Sequence, residues 1–183
     1  MPLELVREEP RSLKPLKLAL SELKACEKCG EERCGKYTIP RLTETPKGLV
    51  LSAGFVFFCP EKRGLGYGKK VIGGMQGILS EVARRSGMNV IHLPHTAPQN
   101  EPMHKIMKRF GYERIRDYVE FGLDEEAGTE EIPRAQFKKT FAPSATPVNL
   151  SPSEEEIVRK LIEKKAALKD ADRQVREFLE SGG

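Results

Sequence analysis

Residues 55–70 read FVFFCPEKRGLGYGKK, and they constrain the fold more than any other stretch. An aromatic, β-branched run ends at Pro60, a basic turn rich in glycine follows from Arg63 to Lys70, and an apolar helical pattern begins at Val71. The order is a strand, a tight loop and a helix N-terminus. Glycine lets a backbone adopt positive φ and lets a ligand approach closely. A helix N-terminus presents unpaired N–H groups and the positive end of the dipole, which together suit an anion. Arg63, Lys69 and Lys70 add formal charge at the same place. The expectation is an anion site for a phosphorylated ligand, set against the plainer alternative of a glycine-rich turn with no ligand.

Spacing narrows the choice. Counting back from Gly68-Lys69 puts Arg63 where a P-loop needs its first glycine and Lys70 where it needs Ser or Thr. A Rossmann G-x-G-x-x-G fails from Gly64, whose sixth position is Lys69, and from Gly66, whose sixth is Val71. What remains is Arg63-x-x-Gly66-x-Gly68, preceded by Cys59-Pro60-Glu61-Lys62. This resembles the acetyl-CoA pyrophosphate loop of the GNAT superfamily of N-acetyltransferases, Gln/Arg-x-x-Gly-x-Gly/Ala, with its upstream Pro-Glu pair. A second segment matches as well. The family's next helix reads Asn-x-x-Ala-x-x-Leu-Tyr-x-x-x-Gly-Phe, and here Asn100-Glu-Pro-Met103-His-Lys-Ile106-Met107-Lys-Arg-Phe-Gly111-Tyr112 keeps the spacing from Asn100 to Gly111.

The resemblance spans roughly residues 49–123 and implies an α/β (α+β) fold: a mixed, mostly antiparallel central sheet flanked by helices. The local patterns agree. Leu49–Cys59 reads as a buried strand, Gly68–Ser86 as a helix with apolar positions at Val71, Ile72, Met75, Ile78, Leu79 and Val82, and Asn89–Leu93 as a strand. Asn100 is an N-cap for a short helix, and Tyr112–Leu123 alternates as a strand. Gly73, Gly74 and Gly77 inside the first of these helices imply close packing against a sheet or a ligand. Upstream, Met1–Glu9 reads as a strand, Ser12–Cys26 as a helix, and Tyr37–Pro46 as a loop or short edge strand.

The domain reading is a GNAT-like unit at 1–124, a linker at 125–150 and a helix at 151–183. Acidic, then basic, then Pro/Ala/Ser/Thr-rich composition marks the linker. Ser151-Pro152-Ser153-Glu154 is a capping box with proline at the first helical position. Ile157, Leu161, Lys164, Leu168, Ala171, Val175 and Phe178 then form a heptad-like seam, which reads as a surface for homo-oligomerisation or for docking into a larger assembly.

Net charge of +4 on 183 residues is too small to argue for nucleic acid. The longest apolar run is too short to cross a bilayer, and MPLELVREEP lacks a signal-peptide core, so the reading is cytoplasmic, or a virion component if the chain is viral. Cys26, Cys29 and Cys34 have spacing that can grip zinc but supply three of the four ligands that a closed site needs.

The resemblance implies that Phe58, Cys59, Arg63, Gly64, Gly66, Tyr67, Gly68, Lys69 and Asn100 contact acetyl-CoA, with an amine attacking the thioester directly. That chemistry needs a base, an oxyanion donor and an acid. The family's tyrosine acid falls at Met107, which cannot donate a proton. His95, His104 and Glu101 are the acid–base candidates. The alternative is a GNAT-fold structural or assembly protein with weak or no catalysis, docked through its C-terminal helix.

Overall fold

A computed structural model describes residues 41–52, 64–124, 128–143, 146–170 and 173–182. The expectations for residues 1–40, including Cys26, Cys29 and Cys34, and those for Phe58, Cys59 and Arg63 lie outside the described residues. The strands are β1 (Arg41–Thr45), β2 (Gly48–Ser52), β3 (Val90–Leu93), β4 (His95–Thr96), β5 (Glu113–Asp124) and β6 (Gly128–Phe141). The helices are α1 (Tyr67–Ser86), α2 (Glu101–Arg109), α3 (Pro152–Glu163) and α4 (Arg173–Glu180). The result is a mixed α/β fold with a mostly antiparallel sheet flanked by helices. Only β2 and β3 run parallel, joined through α1, and every other described pair is antiparallel.

β1 and β2 form a hairpin closed at Pro46-Lys47, with Thr45 opposite Gly48. Gly48 has φ 126, and a Cβ there would stand 2.5 Å from the Asn89 carbonyl oxygen, so the turn requires glycine. β3 and β4 lie along one edge of β6 in a single register, from Val90↔Phe141 to Thr96↔Ala135. Pro94 interrupts them, yet its carbonyl still accepts the Phe137 N–H at 2.8 Å. β5 covers the other edge of β6 from Gly128 to Lys138, with an irregularity between Arg114 and Arg116 that leaves Ile115 as the extra residue.

β6 corrects the linker reading of 125–150. The segment holds Pro133 and a mixture of charges, which hid a 14-residue strand. Parity explains how the proline fits. Phe137 turns its N–H toward β3–β4, so residue 133, four positions earlier in the alternating ladder, turns its nitrogen the same way and away from β5. A proline there breaks no bond of the β5–β6 ladder. The following stretch is also docked: Val148 N–H donates to Glu81 at 3.2 Å, and Leu150 packs on the main core. Gly77 lies under Val148 and Leu150, each 3.4 Å from where a Cβ would sit, whereas Gly73 accommodates Phe110.

The C-terminal helix is likewise two helices. The capping box forms as read, with Ser151 Oγ accepting from Glu154 N–H and Glu154 accepting from Ser151 N–H. α3 ends at Lys164. Ala166 then exchanges two backbone hydrogen bonds with β1, donating to Leu42 O and accepting from Glu44 N–H, both at 2.9 Å. No glycine or proline stops the helix there; the tertiary contact outweighs local propensity. α3 packs with α1 on one face of the sheet through Ile157 and Val158. α4 packs on the opposite face, where Val175 and Phe178 cover Val50, Ile91 and Leu93. The apparent heptad seam is therefore two separate faces buried within this domain, and Leu168, between them, is exposed. This corrects the expectation that the helix presents a free seam for oligomerisation or docking.

Phe178 is 1% exposed, with the ammonium groups of Lys47 and Lys138 5.5 and 5.6 Å from its ring centroid. Phe178→Ala should lower the unfolding free energy by about 3–5 kcal/mol. Urea denaturation measures it, and a loss below about 1 kcal/mol would show that α4 is not seated on the sheet.

Candidate functional site

The loop before α1 is described from Gly64 onward. Gly64 and Gly66 both have left-handed φ, 77 and 84, and both are exposed. Gly66 is the N-cap of α1, so no side-chain oxygen bonds the first amides, and the first turn contains no acidic residue. Lys69 and Lys70 are exposed there. The first helical amides, from Tyr67 through Lys69, precede the first i→i+4 bond, Lys70 N–H to Gly66 O at 3.0 Å. A side chain at Gly66 would need a conformation that L-residues rarely adopt.

Gly68 serves packing. A Cβ there would meet Met103 Cε at 3.0 Å and Ile106 Cδ1 at 3.4 Å, so glycine brings α2 against the first turn of α1. Asn100 caps α2: Oδ1 accepts from Met103 N–H at 3.3 Å, and Nδ2 donates to Thr96 Oγ1 at 3.0 Å. Both ends of this amide are engaged, and they tie α2 to the end of β4. This is the side chain expected to contact a cofactor, and in this structure it positions the helix.

The acid–base candidates do not converge. His104 and Glu101 share a face of α2, with His104 Nδ1 4.0 Å from the Glu101 carboxylate. His104 Nε2 lies 3.2 Å from the Ala97 carbonyl, which can only accept, so the proton is on Nε2 and Nδ1 faces Glu101. The His104 ring packs near Phe137, on the α1–α2 side of the sheet. His95 pairs with Gln136 on the other side, its ring edge-on to Tyr118 at 6.3 Å between centroids. The sheet separates it from His104 and Glu101. Met107 is 3% exposed within the core formed by Ile72, Tyr112, Ala135 and Phe137, so the residue in place of a tyrosine acid is packed inward.

Beneath α1 runs a polar chain that was not anticipated from sequence. Tyr112 Oη shares a 2.6 Å hydrogen bond with His92 Nδ1 and accepts from Gln76 Nε2 at 3.2 Å. Lys139 donates to Gln76 Oε1, and to the Phe110 carbonyl at the end of α2 at 2.7 Å. Burial, with the charge of Lys139 as a smaller cause, pushes the His92 imidazole down to about 3, so it is neutral near pH 7. Burial pushes the Tyr112 phenol up and the Lys139 ammonium down. The available signal was His92 itself, a titratable residue within the apolar strand NVIHL. Among the described residues no group of three or more His, Cys, Asp or Glu could hold a metal. No described helix is long and apolar enough to cross a membrane.

No protein-family model and no curated protein sequence matches this chain. Among solved structures, it is similar to the ribosomal-protein-S18-alanine N-acetyltransferase from Escherichia coli, at 8% identity and a TM-score of 0.37, over 74% of this chain and 92% of the other.

The buried histidine gives a pH dependence of defined sign. Its folded pKa lies below the unfolded value, so the unfolded state binds more protons between about pH 3 and 6.5. Its contribution is complete above pH 6.5 and falls by about 1.4 kcal/mol per pH unit below that. Denaturation of the wild type and His92→Gln between pH 7 and 5 tests this: the variant should have the shallower slope, and equal slopes would exclude His92 as the source.

Proposed function

We propose that the chain is an acetyl-CoA-dependent N-acetyltransferase acting on an amine of a small molecule or protein by direct attack. The observation that carries this reading is the left-handed, exposed Gly64 and Gly66 leading into a helix N-terminus with no side-chain cap, no acidic residue and exposed lysines in its first turn. Such an end suits a pyrophosphate through backbone amides, dipole and charge together. The matched spacings Arg63-x-x-Gly66-x-Gly68 and Asn100 to Gly111 support coenzyme A as the ligand. The amides of Tyr67, Gly68 and Lys69 would hold the pyrophosphate, with Arg63 adding charge. Bound acetyl-CoA supplies the acyl group as an activated thioester.

The chain's own residues divide the remaining work. Gly68 and Asn100 fix α2 against α1 and β4. His95, next to the interruption at Pro94, is the candidate base for the ammonium proton of the acceptor. His104, with Nε2–H held by Ala97 O and Nδ1 turned toward Glu101, is a second candidate acid–base group. Met107 supplies none. The assembly-module alternative loses the free C-terminal helix that favoured it, because α3 and α4 bury their apolar faces on their own domain.

Thermal unfolding with and without acetyl-CoA tests the reading. Cofactor at 100 times its dissociation constant should add about 2.7 kcal/mol of stability. Gly66→Asp should abolish the shift by placing a strained residue and a negative charge at the anion site. No shift at millimolar acetyl-CoA in the wild type would overturn the proposal.

A further inference from the structure

On the sheet face covered by α4, Gln136 is 0% exposed. Chemistry fixes its orientation: Arg116 Nε, which can only donate, lies 2.7 Å from Oε1, so the amide nitrogen is the other end. That nitrogen has no hydrogen-bond partner among the described residues. An unmade buried donor is costly and uncommon. Three of the side chains placed around it by register, Arg116, Arg134 and Lys138, are donors only. His95 and Arg116 are its cross-strand neighbours, and Arg134 and Lys138 lie two residues away on the same face of β6. Glu177 of α4 reaches this group, bonding Arg116 at 3.2 Å and Arg173 at 2.5 Å. The cluster brings several cations to one face, and its buried, oriented Gln136 N–H is aimed at no oxygen of the described residues.

We propose that Gln136 Nε2 is the recognition donor of an anion subsite that takes a carboxylate, with Arg116 and Glu177 as the residues that position it. Resting on the acetyl-transfer reading, the ligand is the acceptor: an amine that also carries a carboxylate, an amino-acid-like compound, with its carboxylate beside Gln136 and its amine toward His95. The aromatic wall is Tyr118, which stacks under the Arg116 guanidinium at 5.0 Å and meets the His95 ring at its edge. α4 closes the far side, so the C-terminal segment contributes to substrate selection as well as to the core.

The test needs no cofactor. Isotope-labelled protein is titrated with N-acetylglycine, with its neutral analogue N-acetylglycinamide and with inorganic phosphate, following the Gln136 side-chain amide by NMR. N-acetylglycine should move that resonance saturably, and the neutral analogue should bind at least about tenfold more weakly. Gln136→Met should lose about tenfold or more of the N-acetylglycine affinity while keeping the wild-type unfolding curve. An amide that ignores both anions and shows a cross-peak to a long-lived water would mean that it serves a buried water only, and would overturn the subsite. A response to phosphate but not to N-acetylglycine would overturn the carboxylate assignment, and unchanged affinity in Gln136→Met would overturn the role of Gln136. If the variant does not fold, the wild-type resonance decides alone. Because acetyl-CoA is absent, failure here leaves its thermal shift untouched, and the two readings fail separately.

Discussion

The two-sided pairing of β6 holds the described sheet together. One edge collects β3 and β4 in a single register, and the other carries β5 from end to end. Without β6 the β5 ladder would have no partner, and the parallel β2–β3 pair would lose its other neighbour. The alternation along this strand then sorts the chemistry. Ala135, Phe137 and Phe141 turn to the cores under α1 and α2, while Gln136 and Lys138 turn to α4. A one-residue slip would exchange the two sets, placing phenylalanines among the arginines and an amide in the core. Pro133 is compatible with one register parity only, so it acts as a local check on that alignment.

The second constraint is the route of the C-terminal segment. α3 lies on the α1 face and α4 on the other, so the chain must pass an edge of the sheet between them. It passes at β1, and the Ala166 bridge satisfies backbone groups of Leu42 and Glu44 that would otherwise be an unpaired edge. Lys165 adds an ion pair to Glu44 at 3.1 Å, worth little at this exposure, so the backbone bonds and the buried Val175 and Phe178 carry the attachment. The strap reaches the polar cluster through Glu177, and Arg116 in turn orients Gln136. Core packing and side-chain orientation on that face are thus coupled.

The central elements were legible because their signals are local. The 3.6-residue period of α1, the Asn100 cap, the capping box at Ser151 and the alternation of β5 all depend on near neighbours and appear where read. β6 was hidden because half of its residues face a polar environment of the protein's own making: Arg134 and Gln136 are buried but satisfy no hydrophobic pattern. The break between α3 and α4 was hidden for a complementary reason. Lys164-Lys165-Ala166-Ala167 favours helix, and only the edge of β1, more than a hundred residues earlier, makes the extended conformation better. At the site, the glycine loop was legible in motif spacing. The separation of His95 from His104 was not, because it turns on which side of β6 each strand residue faces.

That separation bears on how the site could work. The exposed N-terminus of α1 and the α2 pair His104–Glu101 lie on one side of the sheet, and His95, Tyr118, Arg116 and Gln136 lie on the other. Pro94 lies between these two groups along the sheet: it lacks an N–H for the ladder, it sits between the two registered stretches β3 and β4, and His95 follows it directly. The buried chain from Lys139 to His92 stabilises the strand just before this break, and Asn100 grips Thr96 just after it. The interruption at Pro94 is therefore held on both sides, which keeps β3 and β4 in one register along β6.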